Sequence, residues 1–168
     1  MTDPPIVPTR EELLTQLRTS ADESIARLHA LPLEQFELGR YENGWNGREI
    51  LAHMASIEWT YPRLLEIPVT SPSAAEGSPP SRPAEGGIDA YNARQVAKRE
   101  GLPVADLLAE FEQNRAIFIT AVESASPELF EKPITSAGGR TGPLARVIHE
   151  VAVLHILGHT NDIVGHSA

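Results

Sequence analysis

Apolar positions recur along this chain at helical spacing. The first such segment opens at Thr9, where Thr9-Arg10-Glu11-Glu12 reads as a capping box. Leu13, Leu17, Ile25 and Leu28 then form one stripe, which predicts a helix to about Ala30, stopped by Pro32. Leu33 to Gly44 reads as a connection with one short helical turn. Asn46-Gly47-Arg48-Glu49 is a second capping signal. It opens a predicted helix over residues 47–66, with Ile50, Met54, Ile57, Tyr61 and Leu64 facing the core and Pro62 kinking or shortening it.

Residues 68–87 are rich in Pro, Ser, Ala, Glu and Gly, which predicts a long surface crossover. A shorter helix over 89–99 follows, broken by Gly101. Pro103 suits the first turn of the next helix, which runs to Ser124 through Leu107, Leu108, Phe111, Ile117 and Val122. Ser126-Pro127-Glu128 starts a short turn, and Gly138-Gly139 and Gly142 mark a loop. Pro143 opens the last helix, 144–164. It is apolar almost all round, so it is expected at the centre of the molecule.

No alternating, β-branched strand pattern of any length is present. Leu33-Glu34-Gln35-Phe36 is echoed by Pro127-Glu128-Leu129-Phe130, each ahead of a glycine-bearing connection and a histidine-bearing helix, but the echo is too slight to be a duplication. Four long helices and one shorter one predict an all-α protein, a four-helix bundle with one additional shorter helix and a long crossover loop. A length of 168 residues fits a single domain, with residues 1–8 as an N-terminal tail.

Composition narrows the chemistry. There is no cysteine, which removes disulfides, thiolate catalysis and Cys-type zinc sites and leaves histidine and carboxylate as ligands. Acidic residues outnumber basic ones 23 to 14, for a net charge of −9. With no Lys/Arg run, the expectation is no nucleic-acid partner and no anionic membrane. No apolar run of about 20 residues exists to span a bilayer, and the Pro-rich start has no apolar signal core. The expected location is cytoplasmic.

The main chemical signal is His155-Ile156-Leu157-Gly158-His159. Histidines four apart share one helix face, so two imidazoles can converge on one ion such as zinc, nickel, copper or iron. Burying them in so apolar a helix is costly unless their nitrogens are satisfied. Two hydrogen-bonded core histidines are the plainer alternative. The zinc-protease H-E-x-x-H pattern does not apply, since Val153 stands four after His149. His53, on the core side of its own helix, is the natural third ligand. Three histidines leave coordination positions open for water or substrate, the catalytic pattern.

Asp162, three residues after His159, is the candidate base or orienting carboxylate; otherwise it is an ordinary charge near a helix end. Glu58 and Asn161 are weaker candidates. Trp45 and Trp59 flank the His53 segment as pocket lining or core aromatics. His29, His149 and His166 are expected at the surface or in packing. Phosphate-loop and G-x-S-x-G patterns are absent.

Gly44-Trp45-Asn46 followed by Arg48-Glu49-Ile50-Leu51-Ala52-His53-Met54 resembles the W…L-x-H-L start of the second helix in the DinB-like superfamily, also called the YfiT-like group. His155-x-x-x-His159-x-x-Asp162-Ile163 resembles its closing helix. The likeness covers most of the chain in helix order. It implies an up-down-down-up bundle, often a homodimer, with zinc or nickel on three histidines, here His53, His155 and His159. It further implies a hydrolase, or a transferase or isomerase using mycothiol, bacillithiol or glutathione, acting on a small electrophilic molecule. The chain ends soon after its last helix, so the extra C-terminal domain of mycothiol-dependent maleylpyruvate isomerases is not expected. The alternative is a non-catalytic bundle that binds or sequesters a small molecule or a protein partner.

Overall fold

The computed structural model describes residues 7–39, 44–70, 87–136 and 138–165. Helix α1 spans Arg10–His29 and α2 spans Gly47–Thr60. Both predicted capping boxes are formed. Thr9 Oγ1 accepts from the Glu12 N–H at 3.1 Å while Glu12 Oε2 accepts from the Thr9 N–H at 2.8 Å. Asn46 Oδ1 accepts from the Glu49 N–H at 2.9 Å, and Glu49 Oε1 accepts from the Asn46 N–H at 3.2 Å. Each box satisfies two of the orphan donors of a helix start.

At Pro62 the α-helical path of α2 tightens into a 3₁₀ turn, Tyr61–Leu65, and a short α3 follows over Ile67–Thr70. The expected crossover loop therefore starts later than 68; residues 71–86 lie outside the described residues, as do 1–6 of the expected tail. Helix α4 covers Gly87–Lys98 and α5 covers Val104–Ser124. The two echoed segments, Leu33–Glu37 and Pro127–Glu131, are both 3₁₀ turns and bury Phe36 and Phe130.

Two features correct the sequence reading. Strand β1, Pro133–Thr135, pairs antiparallel with β2, Thr141–Pro143. Strands of three residues cannot display alternation, and their pairing depends on the loop between them rather than on a hydrophobic period. The last helix is also not continuous. It runs as α6, Leu144–Ile148, then a π-helical stretch, His149–Leu154, then α7, His155–Val164.

The result is a four-helix bundle built on α1, α2, α5 and the α6–α7 segment, with α4 packed on α2. Its core has two apolar clusters. One gathers Leu13, Leu17, Tyr61, Phe118, Val122 and Ile148. The other gathers Leu28, Ile50, Met54, Leu107, Phe111 and Ile156. Between them each long helix contributes buried polar groups: Ser20 and Ser24 from α1, Ser56 and Glu58 from α2, Asn114 and Arg115 from α5. Arg115 Nη2 donates to Glu58 Oε1 and to the Ala152 carbonyl, each at 2.6 Å. Asn114 donates to the Ala55 carbonyl and Thr160 to Ser24 Oγ. These bonds lower the cost of burying such groups, although Glu58 Oε2 and Arg115 Nε have no partner among the described residues. No helix is long and apolar enough to cross a membrane, among the described residues.

Candidate metal centre

His53 sits in the first half of α2, 4% exposed, on the face that carries Ile50 and Met54 into the core. His155 and His159 are the first and fifth residues of α7 and are half-buried. The bundle brings all three together. One ligand nitrogen from each ring lies within 4.8 Å of the others. Ring centroids are 5.1 Å apart for His53–His159, 5.8 Å for His53–His155 and 4.4 Å for His155–His159.

Two Zn–N bonds of about 2.0–2.1 Å span at most about 4.2 Å. Small side-chain rotations thus separate the rings from joint ligation of one ion. The nitrogens also call for an ion. His53 Nδ1 and both nitrogens of His159 are solvent-excluded and have no hydrogen-bond partner among the described residues. Each such orphan costs about 1–3 kcal/mol, and a divalent cation would satisfy one nitrogen of each ring. The donor set fits a borderline metal that accepts neutral imidazole.

Electrostatics favours the ligating form. Burial, and then the neighbouring His155, lower the His53 pKa to about 4. Burial, then His155 and His53, lower that of His159 to about 3. His155 is lowered chiefly by burial; the Val151 carbonyl opposes the shift and Arg140 adds to it. All three rings are therefore neutral near pH 7, as metal ligands must be. Trp45 covers one side of His53, with ring centroids 5.3 Å apart.

Asp162 stands at the solvent edge, its side chain 49% exposed, with Oδ2 3.7 Å from His159 Nδ1. That is too long for a hydrogen bond and close enough for a rotation to make one. The weaker candidates have other places. Glu58 is fully buried in the ion pair with Arg115, and Asn161 Oδ1 accepts from Arg27 at 2.7 Å, tying α7 to α1. Trp59 is not a core aromatic: it is 53% exposed and lies under the Arg63 guanidinium, 4.7 Å away. Its helix position turns it outward, and the cation covers its face. His29 meets Glu112 at the surface and His149 meets Gln16, both as expected; His166 lies outside the described residues.

Sequence reading missed Tyr61 as a polar group and missed Arg115 altogether. The Tyr61 hydroxyl donates to the Val151 carbonyl at 2.5 Å. A signal for Arg115 existed. Leu107, Phe111, Phe118 and Val122 form the buried stripe of α5, and Arg115 falls on it, four after Phe111 and three before Phe118.

A four-helix bundle with three buried-facing histidines from its second and last helices defines a candidate metal-binding class. Its family follows from sequence: the DinB superfamily model matches residues 16–162, and the chain belongs to that superfamily. No curated protein matches in sequence. Solved structures share the fold. A mycothiol-dependent maleylpyruvate isomerase superposes with a TM-score of 0.71 at 20% identity, over 93% of this chain and 61% of its own. The chain thus spans about three-fifths of that isomerase. YfiT from Bacillus subtilis, a probable metal-dependent hydrolase with an unusual four-helix bundle topology, gives 0.68 at 14% identity, over 98% and 90%.

The colibactin self-resistance protein ClbS in complex with a dsDNA gives 0.64 at 15% identity, over 97% of this chain and 100% of that one. This overturns the exclusion of nucleic acid drawn from net charge. A fold of this kind is seen with duplex DNA, and a net charge of −9 is a sum over the whole surface, whereas phosphate contacts depend on local fields.

Proposed function

We propose that this protein is a metal-dependent enzyme in which His53, His155 and His159 hold one divalent ion, zinc or nickel. The carrying observation is that one nitrogen from each ring lies within 4.8 Å of the others, while His53 Nδ1 and both nitrogens of His159 are solvent-excluded without partners among the described residues. The reaction we assign is attack of water or a low-molecular-weight thiol such as mycothiol on a small electrophilic molecule, as hydrolase, transferase or isomerase. The family and the isomerase and YfiT neighbours support this choice. An ion bound to three imidazoles lowers the pKa of a bound water or thiol and polarises a carbonyl.

The chain's own residues do the rest. His53, nearly inaccessible, anchors the inner side, while His155 and His159 bring the site to the half-exposed face of α7. Trp45 keeps water from one flank of His53. Asp162, beside His159 and open to solvent, is placed to take or return a proton. We read residues 1–168 as one such bundle domain, in the cytoplasm.

The test is metal analysis of untagged protein after chelation and reloading. The reading expects about one equivalent per chain and a raised melting temperature. Less than about a tenth of an equivalent with an unchanged melting temperature sinks it. Loaded protein is then offered electrophilic esters, amides and epoxides with water alone, glutathione, bacillithiol or mycothiol. Turnover of none of them refutes the enzyme and leaves a bundle that only binds.

A further inference from the structure

Glycine in the middle of a helix weakens it relative to alanine, because it gives up more backbone freedom on folding. A fold needs glycine there when another group stands where the Cβ would go, or when φ must be positive. Gly47, at the start of α2, is a case of the first kind, with the backbone of Phe36 against it. Gly158 is neither. It lies inside α7, its φ is not positive, and a Cβ there would meet no atom within 4 Å beyond its chain neighbours and the backbone of its own helix. Nothing in the packing of the described residues asks for a glycine at 158.

The open space lies beside the candidate ligands. On a helix, residues three and four apart are neighbours. Gly158 is therefore ringed by Leu154, His155 and Asp162, and it directly precedes His159. Gly158 is exposed, and Leu154 is a large apolar side chain left 53% exposed one turn before it. On the α2 side the centre is closed: His53 is 4% exposed and the Trp45 ring lies against it. The approach to the three histidines thus runs over α7, across bare backbone at Gly158 and along the apolar wall of Leu154. At its inner end are the nitrogens of His53 and His159 that have no partner among the described residues.

We propose that Gly158 is a specificity-determining residue: it is the floor, and Leu154 the wall, of a seat for a flat apolar group of the substrate. The inference rests on the metal-centre reading above and narrows its substrate class. Among small electrophiles it selects those that carry an aryl or similarly flat apolar group next to the reacting carbon. Such a group can lie directly on the α7 backbone, and a side chain at 158 would stand in its place.

The probes are acetohydroxamate and benzohydroxamate, which offer a metal the same chelating group and differ by a phenyl ring in place of a methyl. Each is titrated into Co²⁺-loaded protein and followed by the visible bands of the ion. Wild type should bind benzohydroxamate about tenfold or more tightly than acetohydroxamate, the gain expected from burying much of one phenyl face. In Gly158→Gln, whose side chain fills the seat, that ratio should fall to about twofold or less, with acetohydroxamate and Co²⁺ affinities within about threefold of wild type. Gly158→Ala should raise the melting temperature of the metal-free protein; a lowered one shows that the fold needs the glycine and overturns the proposal. Equal affinities for the two probes in wild type overturn it, as does a phenyl preference retained in Gly158→Gln. Loss of Co²⁺ uptake by Gly158→Gln overturns it too, by making the residue a support of the metal site itself. A wild-type dimer that Gly158→Gln turns monomeric in sedimentation assigns the space to a second copy instead. All of these leave the metal-centre reading standing so long as wild type takes up Co²⁺; no uptake by wild type ends both.

Discussion

His53 and His159 meet edge to face, their ring planes at 90° and their centroids 5.1 Å apart, although 105 positions separate them in the chain. Their nitrogens are enclosed by protein, and no described group bonds His53 Nδ1 or either nitrogen of His159. Glu58 Oε2, Arg115 Nε and Arg146 Nε are likewise enclosed without a partner among the described residues, but at the histidines one nitrogen of each ring also lies within 4.8 Å of the others.

Removing His155 separates a site from a structural role. The residue is half-buried, so His155→Ala is expected to leave the helical circular dichroism intact. Metal content by mass spectrometry should fall by at least about tenfold. Global unfolding of this variant would instead mark the histidine as part of the core.

The metal-free protein should lose stability in acid. The folded pKa values of His53 and His159, about 4 and about 3, lie below the ordinary 6.5. The unfolded chain therefore binds more protons between these values, and stability falls as pH drops below 6.5. Glu58 acts in the opposite sense. Burial raises it from 4.5 to about 7 despite the adjacent guanidinium, so its contribution is complete below 4.5 and is lost as pH rises through 7. The clean measurement is the difference between wild type and His159→Asn in urea unfolding from pH 4 to 8. Relative to His159→Asn, the wild type should lose stability progressively as pH falls below 6.5, with a constant difference above it; a pH-independent difference throughout contradicts the assignment.

Breaking the Glu58–Arg115 pair should be costly. The two side chains are 0% and 2% exposed, and above the raised Glu58 pKa of about 7 Glu58→Gln leaves a guanidinium buried without its counter-charge. The expected loss is about 3–5 kcal/mol in denaturant unfolding. Glu58→Leu combined with Arg115→Met should recover much of it, because two well-packed apolar groups replace a desolvated pair. A double variant no more stable than the single one would show that Arg115 stabilises chiefly through the Ala152 carbonyl.

Gly47 should not accept a side chain. A Cβ there would lie 3.2 Å from both Cα and O of Phe36 and 3.4 Å from Ile163 Cγ2. Backbone cannot yield as a side chain does, so Gly47→Ala is expected to cost about 1–3 kcal/mol, offset by up to about 1 kcal/mol of helix propensity. A stabilised variant by thermal melting would show that the 3₁₀ turn at Phe36 moves freely.

The legibility of the site was uneven for physical reasons. His155 and His159 are one turn apart, so their shared face follows from helix geometry alone. His53 was readable only as a core-side histidine; its meeting with the pair depends on how α2 crosses α7. Arg115 and Glu58 sat visibly on apolar stripes, but a stripe shows burial and not the partner that makes burial tolerable. Trp59 was misread because an aromatic beside a core helix looks apolar until the register turns it toward Arg63 and solvent.

The sequence by itself determined what depends on neighbours within a few residues. That covers the capping boxes at Thr9 and Asn46, the tightening at Pro62, the 3₁₀ turns around Phe36 and Phe130, the helical count and the His155–His159 face. The tertiary structure decided what depends on distant groups competing for the same atoms. Strands β1 and β2 exist only as a pair. The π-helical stretch is held by Tyr61 and Arg115, whose bonds to Val151 and Ala152 no local pattern encodes. The three-histidine cluster exists because α7 packs against α2, which is a property of packing rather than of spacing.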